Sequence, residues 1–166
     1  MRLFLKLVHT LAISAFVGSI FGHILLGTHF SAEDAASYRT VLAVKCLMTQ
    51  TLILGGLALC VLSGIGLVAL GRGRSLIRPW LAIKLAAVAL IVVNAVTVLR
   101  PLGLERLALA SALAGGDTQA LAALHATGPR EDIFGAINLA LVLAVLVLSI
   151  ARRVPFLPAS VKPARA

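Results

Sequence analysis

Two histidines and two lysines lie beyond the first helical turn of long apolar stretches of the chain, where a polar side chain is costly. His9 and His23 belong to the first stretch, Lys45 to the second and Lys84 to the third. A histidine can stay neutral at pH 7, bind a proton, or coordinate haem iron or copper. A lysine at the bilayer centre costs about 2.5–3.5 kcal/mol, and less near a helix end, where its side chain can reach the headgroups. Each of these residues is therefore either part of a functional site or satisfied by a neighbouring helix or by the headgroups.

The apolar stretches themselves predict an all-α membrane protein. The chain has 166 residues, of which 60% are hydrophobic and 13% charged, and its mean hydropathy is +1.05. This composition excludes a soluble enzyme and a nucleic-acid-binding module. The basic residues, which give a formal charge of +9, flank the apolar stretches and favour contact with the lipid bilayer and its anionic headgroups. Four stretches are long enough to cross a bilayer, and we expect them to form one four-helix transmembrane bundle, at residues 3–26, 41–70, 80–99 and 133–150.

The charged residues between these helices predict the orientation of the bundle. Most basic residues lie before the first helix, between the second and third, and in or just before the tail at residues 154–166. All six acidic residues lie in the other two connecting segments. By the positive-inside rule, both termini are expected in the cytoplasm. The first helix is interpreted as retained rather than as a signal peptide, because its apolar part is long and lacks a cleavage site of small residues.

The two outer connecting segments contain short helical patterns. Residues 100–132 are expected to form short Ala/Leu helices that break at residues 115–116 and end at residues 128–129. These helices would lie at the outer membrane interface or form a lid over a site between the helices. Before the second helix, a capping residue among residues 31–34 predicts a short helical turn that reaches Tyr38.

One candidate site lies near the cytoplasmic ends of the first and third helices. His9 and Lys84 are each five or six residues into their helices, and Arg78 lies about a turn and a half below Lys84. Haem held between histidines of two helices is excluded, because His9 and His23 are about 21 Å apart on one helix and the other three apolar stretches contain no histidine. Any haem would be held by His9 as the metal ligand, alone or with a partner such as Lys84.

A second candidate polar site lies nearer the outer ends. His23 and Lys45 come to similar depth in neighbouring helices, and Asn138 of the fourth helix can approach them. His23 and Lys45 lie near helix ends, so the alternative to a site is that their side chains contact the lipid headgroups.

Helical periodicity predicts which faces are buried. Ser14, Gly18 and Gly22 form a small-residue row opposite His9, and such rows let helices approach closely, within a bundle or in a homodimer. Each helix also has a seam that we expect to face protein rather than lipid. The seams are, by helix, His9, Ile13, Phe16, Ile20, His23 and Gly27; Lys45, Thr49, Leu52, Gly56 and Ser63; Lys84, Ile91 and Ala95; and Asn138, Val142, Val145 and Ser149.

Two short runs resemble a known family. His9 followed by Phe16-Val17-Gly18 resembles the first-helix pattern of the CopD/HemJ-like bacterial membrane proteins, where a histidine precedes Trp-x-Gly by seven residues. The run RPWLAIKL at residues 78–85 is similar to the start of the third helix in HemJ-type protoporphyrinogen oxidases. The layout of the four helices, with a long segment before the fourth, looks like a relative of this group that has no assigned function. The resemblance implies that His9 is a haem ligand or redox-essential residue, and that Lys84 and Arg78 are its tetrapyrrole-side partners.

Three functions remain open from the sequence. The first is a protein of the bacterial cytoplasmic membrane that binds haem b or a porphyrin between helices one and three, with a redox role and with Arg78 pairing with a propionate. The second is a non-catalytic subunit that forms a homodimer or docks onto a larger membrane complex through its small-residue row. The third is a permease for copper or another small solute, which the lack of broken helices and repeats makes less favoured.

Overall fold

The described part of the chain consists of four long helices. The computed structural model describes residues 1–29, 34–70 and 79–151, and four helices in these ranges are long and apolar enough to cross a membrane. The predicted four-helix transmembrane bundle is thus confirmed. The helices are α1 (Arg2–His29), α2 (Ala35–Leu70), α3 (Trp80–Ala114) and α4 (Gln119–Ala151).

The helices alternate in direction, so the bundle has two ends. We call the end where α1 begins and α2 ends the terminal end, and the opposite one the distal end. At the distal end Asp34 caps α2, because its carboxylate accepts a hydrogen bond from the backbone N–H of Ser37. Hydrogen bonds from Ser37 also hold the pKa of the Asp34 carboxyl below its usual value. The short turn expected to reach Tyr38 is instead the first turn of α2 itself.

The segment at residues 100–132 is not a separate pair of short interface helices. The break at Gly115–Gly116 is present, and Gly116 has a φ of 100°, which favours glycine. Residues 100–114 continue α3, however, and α4 begins at Gln119 and runs through Pro129 without ending. A proline is tolerated inside a membrane helix when neighbouring helices compensate for the lost hydrogen bond. The three longer helices therefore measure about 50 Å, which exceeds the roughly 30 Å hydrocarbon core.

Each of α2 and α3 contains a π-helical turn. The turns are Thr49–Leu54 and Ala95–Leu99, and each holds more residues per turn than the α-helix on either side. The turn in α3 forms the end of the predicted transmembrane segment 80–99, and the helix continues beyond it through Pro101. The turn in α2 explains one wrong seam residue: Leu52 is 43% exposed, because a π turn rotates the face that an uninterrupted α-helix would bury.

The helices pack as two hairpins that meet in the middle. α1 packs along α2 and α3 along α4, while at the distal end α2 packs along α3. One core cluster takes residues from all four helices, and a second lies at the distal end between α2, α3 and α4. The first consists of Phe16, Leu57, Ile91, Ala95 and Val142, and the second of Leu42, Ala110 and Leu124. In the described ranges α1 and α3 do not pack along each other.

The other predicted seams are largely confirmed. Gly56 and Ser63 of α2, and Asn138 and Val142 of α4, are buried. The residues of the small-residue row of α1 differ in their surroundings. Ser14 and Gly18 are exposed, whereas Gly22 lies so close to Met48 of α2 that a Cβ there would be 2.8 Å from the methionine methyl group.

Candidate functional site

Three charged side chains form a buried cluster at the distal end. Lys45 of α2 donates a hydrogen bond from Nζ to Glu131 Oε1 of α4 at 2.6 Å, and Arg106 Nε of α3 lies 2.8 Å from Glu131 Oε2. Only 11% of the lysine side chain and 8% of the arginine side chain are exposed. Removing a charge from water costs several kcal/mol unless a partner compensates. The two carboxylate oxygens provide that compensation, one for each cation.

Arg106 joins the three longer helices at this point. Its Nη1 donates to Leu124 O at 3.3 Å and to Thr127 Oγ1 at 3.2 Å, both on α4, and its Nη2 donates to the Tyr38 hydroxyl of α2 at 2.6 Å. The Nε group has the distance of an ion pair with Glu131 but not the angle of a hydrogen bond. The guanidinium is thus held from two sides, with one donor imperfectly matched.

His23 extends the cluster to α1. Its Nε2 donates to the backbone carbonyl of Lys45 at 2.9 Å, and the Thr49 hydroxyl donates to the same carbonyl at 2.9 Å. Because a carbonyl accepts only, the imidazole proton lies on Nε2. The carbonyl belongs to the turn just before the π segment of α2, which begins at Thr49. The sequence predicts that His23 and Lys45 lie at similar depth. In the structure they are joined by a hydrogen bond to the lysine backbone, not to its ammonium group.

Asn138 makes its side-chain hydrogen bond elsewhere. Asn94 of α3 donates from Nδ2 to Asn138 Oδ1 at 3.3 Å and to the carbonyl of Phe134 at 3.0 Å. Both asparagines lie within the bundle, and Asn138 is buried. This pair links α3 to α4. The residue of α4 that contacts Lys45 is Glu131 and not Asn138.

A small polar cavity adjoins the charged cluster. Its volume is about 140 Å³, and its lining includes Gly27, Tyr38, Lys45, Arg106, Glu131 and Asp132. Two glycines lie against the cations: a Cβ on Gly27 would lie 3.7 Å from Lys45 Nζ, and one on Gly128 would lie 3.4 Å from Arg106 Nη1, both ordinary contact distances. The cavity and its buried charges are the most developed polar site in the described part of the chain.

Sequence reasoning missed Arg106, Glu131 and Tyr38 as members of a site. They fall in the two outer connecting segments of the sequence prediction, Tyr38 before the second helix and Arg106 and Glu131 within residues 100–132. A signal was present in the sequence, since Arg106 shares a helical face with Leu102 and Ala110, which are both apolar. A charge on an otherwise apolar face indicates a buried partner.

At the terminal end, His9 is held by Ser63 of α2. The distance from His9 Nδ1 to Ser63 Oγ is 2.9 Å, and the serine hydroxyl lies 2.5 Å from Leu59 O and 3.1 Å from Cys60 O. When the serine hydroxyl donates to Leu59 O, its oxygen accepts, and the His9 tautomer that fits carries its proton on Nδ1. His9 Nε2 then has its lone pair available, which is the tautomer that a metal ligand needs.

The other predicted residues of this end are placed in part. Lys84 of α3 is half-buried and lies within electrostatic range of His9 and of Cys60. The indole Nε1 of Trp80 is buried without a hydrogen-bond partner among the described residues. Arg78 lies outside the described residues. No group of three or more histidine, cysteine or acidic side chains comes together in the ranges that the structure describes, so a metal site made only of such ligands is not formed there.

Comparisons of this chain with protein-family models, with curated proteins and with solved structures find no match.

Proposed function

We propose that the protein is a multi-pass protein of the bacterial cytoplasmic membrane that binds haem b or another tetrapyrrole at its terminal end, with His9 as the iron ligand. The observation that carries this proposal is the hydrogen bond between His9 and Ser63. It fixes the ring through Nδ1, and no described residue hydrogen-bonds to Nε2, whose lone pair can bind iron. Histidines that ligate metals are usually held by such a partner on their other ring nitrogen. The resemblance of the His9 and Lys84 runs to the CopD/HemJ-like proteins supports the same assignment.

The packing of the helices agrees with a ligand between the hairpins. His9 lies seven residues before Phe16, and Lys84 seven residues before Ile91, so both lie about 10 Å from the central core towards the terminal end. There α1 and α3 do not pack along each other in the described ranges. A flat apolar ring system bound between them would contact exposed or half-buried aliphatic side chains of both hairpins.

Each residue has a definite task in this proposal. His9 provides the ligand atom, Ser63 holds its tautomer, and Lys84 pairs with a propionate, a contact that Arg78 would share. The haem would supply electron-transfer chemistry, which the protein tunes through the axial ligand and its surroundings. By the charge distribution of the sequence, the terminal end would face the cytoplasm.

The test is the absorbance spectrum of the protein purified in detergent, before and after reduction with dithionite. We expect a Soret band that shifts on reduction, is lost in His9→Ala, and keeps its intensity in His125→Ala, whose histidine is exposed on α4. Ser63→Ala should retain haem but weaken its binding by roughly 10- to 100-fold, the usual effect of removing a second-sphere partner. Protein that stays colourless after haem is added would refute the proposal.

A second candidate function is that of a docking subunit that forms a homodimer through α1. Ser14 and Gly18 are exposed, and nothing in the described residues lies within 4 Å of a Cβ added to Gly18. A small-residue face of this kind lets a second helix approach closely.

Gly18→Leu tests the homodimer. We expect it to convert a dimer to a monomer in analytical ultracentrifugation, because the leucine side chain prevents close helix contact. Gly135→Leu is the control, since Gly135 of α4 also has nothing in the described residues within 4 Å of an added Cβ. A wild-type protein that is monomeric at all detergent dilutions would exclude this candidate.

A further inference from the structure

We propose that the distal cavity is a binding site for a monovalent oxyanion, held by Lys45, Arg106 and Tyr38. The site lies at the opposite end of the bundle from His9, so it does not depend on the haem proposal. Its volume is about 140 Å³. A cavity of about 150 Å³ in another protein accommodates benzene, so this one has room for a carboxylate of several heavy atoms.

The cavity has more hydrogen-bond donors than its protein acceptors use. The Lys45 ammonium group has three N–H donors, and Glu131 accepts one of them. Tyr38 accepts from Arg106, which leaves its own O–H to donate, and among the described residues no acceptor faces it. The Nε of Arg106, a residue only 7% exposed, lies 2.8 Å from Glu131 Oε2, so Glu131 remains its partner. Unused donors around a cavity call for a ligand that accepts hydrogen bonds.

The charges of the site select a monoanion. Lys45 and Arg106 contribute two positive charges and Glu131 one negative charge, so these three side chains carry a net charge of about +1, which the exposed and solvent-screened Asp132 at the rim offsets only in part. A single negative charge brings the cluster to neutrality, which lowers the cost of its burial. Asp132, exposed at the rim of the same cavity, opposes a second negative charge.

Two sources can supply such an anion. A small soluble carboxylate can enter from the aqueous side, since the distal parts of the three longer helices extend past the length needed to cross the hydrocarbon core. The phosphodiester of an anionic lipid such as phosphatidylglycerol carries the same single charge and the same acceptor oxygens. The two share their chemistry and differ in how they reach the cavity.

The first experiment measures the thermal unfolding midpoint of the full chain in an uncharged detergent. Sodium acetate is titrated against sodium chloride at constant ionic strength and pH 7, and we expect a rise with acetate that saturates. In a parallel arm phosphatidylglycerol is added to the micelles. If it raises the midpoint and removes any further effect of acetate, the bound group is a lipid headgroup, whereas an acetate effect that persists identifies a soluble anion.

Variants assign the effect to the cavity, each compared with its own midpoint in chloride. Lys45→Met should abolish the acetate response, and Tyr38→Phe should raise the acetate concentration for half of the effect roughly tenfold or more. Asp132→Asn should lower that concentration about threefold, because it removes a negative charge from an exposed rim position. Thr10→Ala, an exposed position near the other end of the bundle, should leave it unchanged.

Asp132→Asn should strengthen the acetate response and Lys45→Met should abolish it. These opposite changes distinguish anion binding from a structural role of the cluster. Loss of a merely structural ion pair lowers the midpoint equally in acetate and in chloride. A wild-type protein that responds to neither acetate nor phosphatidylglycerol overturns the proposal. A response that is the same in Lys45→Met and Asp132→Asn as in the wild type overturns it as well.

Discussion

Replacing Glu131 with glutamine is expected to lower the free energy of unfolding by about 3–5 kcal/mol, the usual cost of removing one partner of a buried ion pair. The carboxylate serves two cations at once, Lys45 at 2.6 Å and Arg106 at 2.8 Å. A glutamine keeps the shape but leaves both positive charges buried without compensation. The guanidinium of Arg106 is the more buried of the two cations, so its loss of a partner contributes strongly.

Unfolding in mixed micelles, followed as a function of the SDS mole fraction, measures this effect. Glu105→Gln is the matched control, because Glu105 lies on α3 and is exposed, and we expect a change within about 0.5 kcal/mol. Lys45→Met should cost less than Glu131→Gln, since it leaves a neutral pair of Glu131 and Arg106. In the double variant the losses should not add, because the two residues share one interaction. Equal stability of Glu131→Gln and Glu105→Gln would show that the cluster is hydrated and contributes little.

Gly56→Ala is expected to destabilise the bundle, although alanine is the better helix former. A Cβ on Gly56 would lie 3.3 Å from the carbonyl oxygen of Ala12 and from the backbone nitrogen of Phe16. These are main-chain atoms of α1, so the contact is relieved only if the helices move apart. Overpacking of this kind costs about 1–3 kcal/mol and exceeds the gain of roughly 1 kcal/mol in helix propensity.

Gly135→Ala supplies the comparison of opposite sign. Nothing in the described residues lies within 4 Å of a Cβ on Gly135, so the substitution keeps the gain in propensity without the clash. The two alanine variants should therefore differ by about 2 kcal/mol in the same SDS titration. If both variants are stabilised, α1 and α2 are farther apart at Gly56 than the 3.3 Å contacts of the added Cβ require.

The fold follows from hydropathy to a large extent. A helix in a bilayer must satisfy its own backbone, so long apolar stretches predict both the type and the number of elements. Helical periodicity also places Phe16, Gly56, Ile91 and Val142 in the interior, as observed. The helix ends were predicted less well, because the stop signals of Pro101 and Pro129 come from soluble proteins. Neither residue ends its helix here.

The charged cluster could not be predicted from the sequence, because it depends on contacts between helices. Its members come from three helices, and the pairing of Lys45 with Glu131 joins residues that are 86 positions apart. Spacing along one helix carries no information on such a contact. The sequence did place Lys45 beside His23, because two consecutive antiparallel helices fix the relative depth of their residues. It had no equivalent constraint for α3 and α4, whose true lengths were unknown.

The π turn of α2 determines what a one-residue insertion or deletion does to this protein. In an uninterrupted α-helix, Lys45 and Gly56 would share a face. In the structure Gly56 meets α1, while Lys45 reaches Glu131 of α4. Deleting one residue of Thr49–Leu54 would let the segment become α-helical without turning one half of α2 against the other, because five α-helical residues cover about the same angle as six π-helical ones. Among related sequences, a single gap inside these six residues is therefore compatible with both the distal ion pair and the contact between α1 and α2.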